Sequence, residues 1–126
     1  MTNHTQVQKV NQMWNTLSTE PIQDILSEDM EYVSVWVLMS IIGKEKFLYY
    51  MNRKLKTISD GQKQGKIILS SKVVTIFGFE GEDFVQLNYQ MDGVSKDILI
   101  RVVVNSSLIH SIQLFPKSNE QVTIKF

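Results

Sequence analysis

The side chains able to do acid–base, nucleophilic or metal chemistry are few in this chain, and they are scattered along it. There is no cysteine, which excludes disulfides, thiolate metal sites and a thiol nucleophile. The two histidines, His4 and His110, are too far apart in sequence to suggest a shared metal, so neither metal nor cofactor is expected. Asp29 and Glu31 flank Met30 near the start of a strand, and this alternation turns both carboxylates to solvent rather than into an acid–base pair. His110 shares the parity of Leu108, Ile112 and Leu114, which suits a partly buried histidine with its hydrogen bonds satisfied better than a general base. Arg101, on a strand, could anchor a carboxylate ligand or form an ion pair on the sheet surface, and the ion pair is the expected role. Ser70-Ser71 and Ser106-Ser107 have no histidine and acid near them in sequence. No phosphate-cradling glycine loop, HExxH, EF-hand or GxSxG motif occurs. No catalytic residue is therefore assigned.

Apolar recognition is better supplied. Trp14 on a first helix, Tyr32, Ser34 and Trp36 on one face of a strand, and Met51 and Tyr89 form a mostly aromatic set with few polar handles. Such a set suits an apolar ligand held by one or two hydrogen bonds. The same side chains could instead simply fill a core, and both readings stay open on sequence alone.

The elements that would position them follow from periodicity. Over residues 3–18, Val7, Val10, Trp14 and Leu17 fall within an arc of roughly 80°, which predicts an amphipathic helix with Thr2 as N-cap. Ser18-Thr19-Glu20-Pro21 restarts the pattern as a short helix through about Glu28, with Ile22, Ile25 and Leu26 inward. Tyr32–Met39 is a β-branched and aromatic run, read as one strand. From Lys44, the residues Phe47, Leu48, Met51, Leu55 and Ile58 share an arc of roughly 100° on a helix. Lys46, Tyr49, Arg53 and Lys56 lie opposite, and Gly43 and Gly61 punctuate its ends.

Beyond Gly65 the chain is strand-rich. Lys66–Phe79 reads as one long strand, bent or bulged near Ser70-Ser71-Lys72, and Glu80-Gly81-Glu82-Asp83 as a hairpin turn. Phe84–Met91 puts Val85, Leu87, Tyr89 and Met91 on one face. Asp92-Gly93 is a hairpin signal. Lys96–Val104 puts Ile98, Ile100, Val102 and Val104 inward, and Leu108–Phe115 follows. Val122–Phe126 reads as a last edge strand. Helices first, then a strand, a helix and an antiparallel meander define an α+β class, with N-terminal helices packed on a curved antiparallel sheet. Such a sheet closes over its helices as a cone with a pocket at the wide end.

The 126 residues make one domain, and 43% hydrophobic with 21% charged residues places it among ordinary globular proteins. Net charge is zero, but residues 44–72 carry eight basic and two acidic side chains. This basic segment reads as the solvated face of a helix and its following loop. No nucleic-acid motif accompanies it, so nucleic acid is not expected as a partner. No apolar run is long enough to span a membrane. The polar N-terminus, Met1–Gln6, lacks the apolar core of a secretory signal, which points to the cytoplasm.

In order of elements the whole chain resembles the nuclear transport factor 2-like superfamily, which includes ketosteroid isomerases and polyketide cyclases. Gly43-Lys44-Glu45 with Phe47 and Tyr50 is similar to that family's opening of its third helix. Ile109, Ile112 and Phe115 match the spacing of its final strand, although Ser107-Leu108 replaces the usual glycine-basic pair. The resemblance implies a cystatin-like cone roll. It also places Ser34 where the isomerases carry a catalytic carboxylate, and Leu99 or Ile100 where they carry an oxyanion-binding acid. Serine has no useful basicity near neutral pH, and neither apolar residue can stabilise an oxyanion.

The expected function is thus a non-catalytic domain that binds an apolar small molecule or acts as a dimeric interaction module. A homodimer would use the outward sheet face, where Phe84, Leu99 and Val103 form an apolar row. The alternative is a small isomerase or hydrolyase acting on a polyketide- or steroid-like substrate, with Tyr32, Ser34 or His110 as polar participants. A third possibility is a protein partner with an acidic surface, docked on Lys44–Lys72.

Overall fold

Asn3 sets the position of the first helix by reaching across the molecule. The computed structural model describes residues 3–34, 38–117 and 123–125, the last three by backbone alone. Helix α1 spans His4–Thr16. Asn3 is its N-cap residue, but its buried side chain makes no capping bond. Instead Asn3 Nδ2 donates to the carbonyls of Asp83 (3.1 Å) and Val102 (2.8 Å), and Asn3 Oδ1 accepts the N–H of Asp83 at 2.8 Å. The Thr2 cap expected from sequence lies outside the described residues. Val7, Val10, Met13 and Trp14 of α1 are buried, as the apolar arc requires.

A 3₁₀ helix, Glu20–Ile25, follows, with Pro21 in its first turn. It is shorter than the helix expected to Glu28, because Leu26 already has extended backbone and opens strand β1, Leu26–Ser34. Strand β2, Met39–Ile42, runs back antiparallel to β1, pairing Tyr32 with Ile41 and Ser34 with Met39. The run read as a single strand is therefore a hairpin. Its turn includes Leu38 at φ 53°, with no glycine or proline to announce it.

Helix α2 spans Lys44–Lys63 and buries Phe47, Met51, Leu55 and Ile58. Gly43, at φ 107°, begins it, and its N–H donates to the carbonyl of Met30 at 2.8 Å. The helix continues through Gly61 rather than ending there. Strands β3 (Ile67–Ile76), β4 (Asp83–Met91), β5 (Val94–Asn105) and β6 (Leu108–Pro116) form the antiparallel meander. Strand β7, Thr123–Lys125, pairs with β3 at the sheet edge. The sheet order is β2-β1-β6-β5-β4-β3-β7, with β1 and β6 parallel and the other pairs antiparallel.

The bulge expected near Ser70 is absent: β3 and β4 keep one register from Ile67↔Met91 to Thr75↔Asp83. The irregularities lie elsewhere. One is in β1 between Leu26 and Glu31, and one is where Val103 pairs with Ser111 but Val104 pairs with Ile109. The second inserts His110 as an extra residue, so Ile109 and Ile112 both face the core. This resets the parity inferred for His110, whose neighbour Leu108 is exposed.

Both helices pack on one face of the sheet. Their buried side chains meet Tyr32, Val85, Leu87, Ile100, Val102, Ile112 and Leu114, with Ile98 and Val104 partly buried against them. The inward parity of β4 and β5 is as the alternation predicts. The outward row is not exposed, however. Phe84 and Leu99 are 2% and 0% accessible and cluster with Val74, Ile76 and Phe115. Phe79 stacks edge-on to Phe84 with ring centres 5.7 Å apart, and the Arg101 guanidinium lies 5.7 Å from the Phe79 ring centre. Arg101 Nε in turn donates to Glu82 Oε1 at 2.6 Å, the ion pair expected of it. Two residues of the row from which association through this face was inferred, Phe84 and Leu99, are thus covered within the chain itself, while Val103 is half-buried.

Candidate functional site

The space between α2 and the β3–β5 end of the sheet is not filled. A cavity of about 720 Å³ lies there. Its floor is made by Trp14 of α1, Ile58 of α2, Ile67 and Leu69 of β3, Leu87 of β4, Ile98 of β5 and Leu114 of β6. Its mouth is made by Tyr49, Tyr50, Arg53, Lys54 and Thr57 of α2, opposed by Tyr89, Met91 and Lys96 of the β4–β5 hairpin. Floor residues such as Trp14 and Leu87 are buried, whereas Tyr49 at the rim is 67% accessible.

Periodicity explains this division. Tyr49, Arg53 and Thr57 recur every four residues, and so do Tyr50 and Lys54, which makes a second stripe beside the apolar one. On sequence that stripe reads as a solvated face. The sheet turns it into a rim, because Tyr89, Met91 and Lys96 of the β4–β5 hairpin line the same cavity. Arg53 Nη1 donates to Tyr49 Oη at 3.2 Å, and Lys54 Nζ donates to Tyr50 Oη at 3.3 Å. The same cations sit 5.5 Å and 5.7 Å from the ring centres of Tyr49 and Tyr50.

Of the six ligand-site candidates, Trp14, Ser34 and Tyr89 line the cavity. Met51 is fully buried in the core. Tyr32 is buried one layer behind the wall, its ring 5.3 Å from Phe47 and 5.6 Å from Tyr50, which does line the cavity. Trp36 lies outside the described residues. Alternation correctly turned Tyr32 and Ser34 inward, but Tyr32 packs against Phe47 and Tyr50 of α2 and does not itself line the open space. The Trp14 indole N–H and the Tyr32 hydroxyl are buried without a hydrogen-bond partner. Burial, and then the neighbouring Tyr50 phenol, push the Tyr32 phenol well above its ordinary value, so it stays protonated.

The positions that the isomerase resemblance singles out can now be placed. Ser34 lines the cavity, Ile100 is packed beneath the helices, and Leu99 is on the opposite face of the sheet. Among the described lining residues there is no carboxylate and no imidazole. Asp29 and Glu31 are exposed, as their alternation implies. The Asp29 carboxyl is held below its ordinary value, first by the Ser27 hydroxyl that donates to it, then by its own backbone N–H, with a smaller contribution from the charge of His110. Ser27, Asp29 and His110 do not form a nucleophile–base pair, because the serine hydroxyl is spent on the carboxylate. Among the described residues no cluster of histidines and acids could hold a metal ion, and no helix is long and apolar enough to cross a membrane.

No protein-family model matches the chain. No curated protein matches it in sequence. Solved structures do match. The chain is similar to an NTF2-like protein of unknown function from Cytophaga hutchinsonii, with TM-score 0.59 and 13% identity over 88% of this chain and 86% of that one. It is also similar to an LEH-like epoxide hydrolase from M. tuberculosis, with TM-score 0.57 and 16% identity over 90% and 84% of the two chains. An uncharacterized protein with a cystatin-like fold from Caulobacter vibrioides gives TM-score 0.60 and 18% identity over 90% and 86%. The chain therefore has the nuclear transport factor 2-like, cystatin-like fold, with helices on a curved, mostly antiparallel sheet.

Proposed function

We propose that this domain binds a small apolar molecule in the cavity between α2 and the β4–β5 hairpin, and that it does so without acid–base catalysis. The observation that carries this reading is the lining. A floor built from Trp14, Ile58, Ile67, Leu87 and Leu114 offers mostly apolar surface, with no described carboxylate or imidazole among the walls. A cavity of about 720 Å³ falls within the range of about 300–1,000 Å³ that holds small ligands. Isomerisation or hydrolysis at neutral pH needs a group that exchanges a proton near pH 7, and carboxylates and imidazoles are the usual ones. Of the three polar groups considered for a catalytic role, Ser34 alone lines the cavity, which favours binding over turnover.

Nile red, a neutral apolar dye, tests the reading. Saturable one-site binding with blue-shifted emission is expected. Thr57→Trp places an indole at an exposed position of the mouth and should abolish that signal while the thermal midpoint is kept. Absence of saturable dye binding to the unaltered protein, or binding that survives Thr57→Trp, would count against a ligand cavity at this place. A homodimer has less support now that Phe84 and Leu99 are covered. Light scattering at micromolar concentration tests it directly, and a monomer would remove it.

A further inference from the structure

We propose that the cavity selects molecules carrying one anionic head group, such as a carboxylate, on an apolar body, and that Arg53 and Lys54 receive the head. The inference rests on the reading of the cavity as a binding site and adds the chemistry of what enters it. Its first support is a charge imbalance. Arg53 and Lys54 line the mouth from α2, while no described lining residue is acidic.

The second support is how the two helix cations are partnered. Their described hydrogen bonds go to the phenol oxygens of Tyr49 and Tyr50, one turn earlier on the same helix. Those oxygens and the ring faces beneath the cations are neutral, and no described lining residue compensates the charge at this side of the mouth. A phenol oxygen that accepts an N–H keeps its own O–H to donate. Each Tyr–cation pair thus presents a charged donor and a neutral donor together, a set suited to a carboxylate. Lys54 is half-buried, and a partly dehydrated ammonium gains more from an anion than a fully hydrated one.

The third support is the geometry of the polarity. The cations are confined to the rim, and the floor below them is apolar. A ligand with its head at Lys54 and its body over Trp14 satisfies both regions at once. A neutral apolar molecule would leave the cations facing a low-dielectric body, and a small hydrophilic anion would leave the floor wet.

Isothermal titration calorimetry of the full chain with decanoate and decanamide separates these cases, using decanoate below its micelle-forming concentration. The two probes share a chain and differ in head-group charge. Ion pairs at an accessible rim are individually weak, and the two together give decanoate about a tenfold advantage. Added salt should shrink that advantage. Arg53→Gln combined with Lys54→Gln should remove it, bringing the affinities of decanoate and decanamide together. Lys56→Gln combined with Lys63→Gln, the same charge change at exposed positions of α2 outside the lining, should preserve it. Equal affinities for the two probes, or a preference that survives loss of Arg53 and Lys54, would overturn the head-group assignment and leave the cavity reading standing. Binding of neither probe would remove both.

Discussion

Gly61, in the last turns of α2, lies directly against the side chain of Ile67 at the start of β3. A Cβ built on Gly61 would overlap Ile67 Cδ1 outright and come within 2.8 Å of Cγ1 and 3.3 Å of Cβ. The glycine is therefore not a helix terminator, as its residue type suggests. It is the place where the helix lets the sheet approach, beside Ile67, which with Ile58 lines the cavity floor.

Gly61→Ala should destabilise the protein even though alanine is the better helix former by about 1 kcal/mol. Ile67 is buried, so its side chain cannot swing into solvent, and overpacking of this kind costs about 1–3 kcal/mol. A net loss of about 1 kcal/mol is expected in urea unfolding. In an Ile67→Ala background the two closest overlaps are gone and only the 3.3 Å approach of Cβ remains, so the same substitution should stabilise by up to about 1 kcal/mol. The sign reversal across the double-mutant cycle is the diagnostic. Stabilisation in both backgrounds would mean the contact does not constrain the helix.

Asn3 offers a second test of how the helices are held. Removing its amide strands the Asp83 N–H and the Val102 carbonyl away from water. Asn3→Ala should cost about 2–3 kcal/mol, a large effect for a residue one place before the first helix begins. Asn3→Asp should not rescue it, since a carboxylate would face two carbonyl oxygens without a donor. Recovery of stability in Asn3→Asp would show that the acceptor bond alone matters.

Much of this architecture was legible because period-two and period-3.6 patterns encode which face is buried. Val85, Leu87 and Tyr89, or Ile98, Ile100 and Val102, alternate without interruption, and the structure places them accordingly. The failures share a cause: single residues that shift a pattern carry no compositional mark. His110 is an added residue in β6 that exchanges the two faces beyond it. The β1–β2 turn uses Leu38 with positive φ, where glycine or asparagine would have signalled it. The cavity was legible as a mostly aromatic set of six side chains, of which Trp14, Ser34 and Tyr89 line it. Its basic rim was not, because Arg53 and Lys54 look like any solvated helix face until the β4–β5 hairpin stands opposite them.

Tyr32 separates a buried side chain from a ligand contact. Its hydroxyl is fully enclosed, and the Tyr50 phenol beside it makes no well-formed hydrogen bond with it, so little offsets its desolvation. Tyr32→Phe should leave stability unchanged or raise it by up to about 1 kcal/mol. Ligand affinity should not change, because the hydroxyl does not line the cavity. A marked loss of affinity in this variant would place the phenol in contact with the ligand and revive the polar role that the sequence suggested for it.

Asp29 provides a test that depends on protonation. Its carboxyl is held below its ordinary value, which means the folded protein binds the charged form better than the unfolded chain does. The stabilisation is therefore fully present above the unfolded carboxyl value and is lost as pH falls through the lower, folded value. The Ser27 hydroxyl is the largest cause and the charge of His110 the smallest that acts in the same direction. In a carboxyl-carbon NMR titration, Ser27→Ala should move the Asp29 midpoint up toward that of a free aspartate. His110→Ala should move it the same way by less. A larger displacement in His110→Ala would mean that the imidazole, not the serine, governs this carboxylate. The two residues on either side of the β1–β6 irregularity would then be coupled electrostatically rather than by the local turn at Ser27.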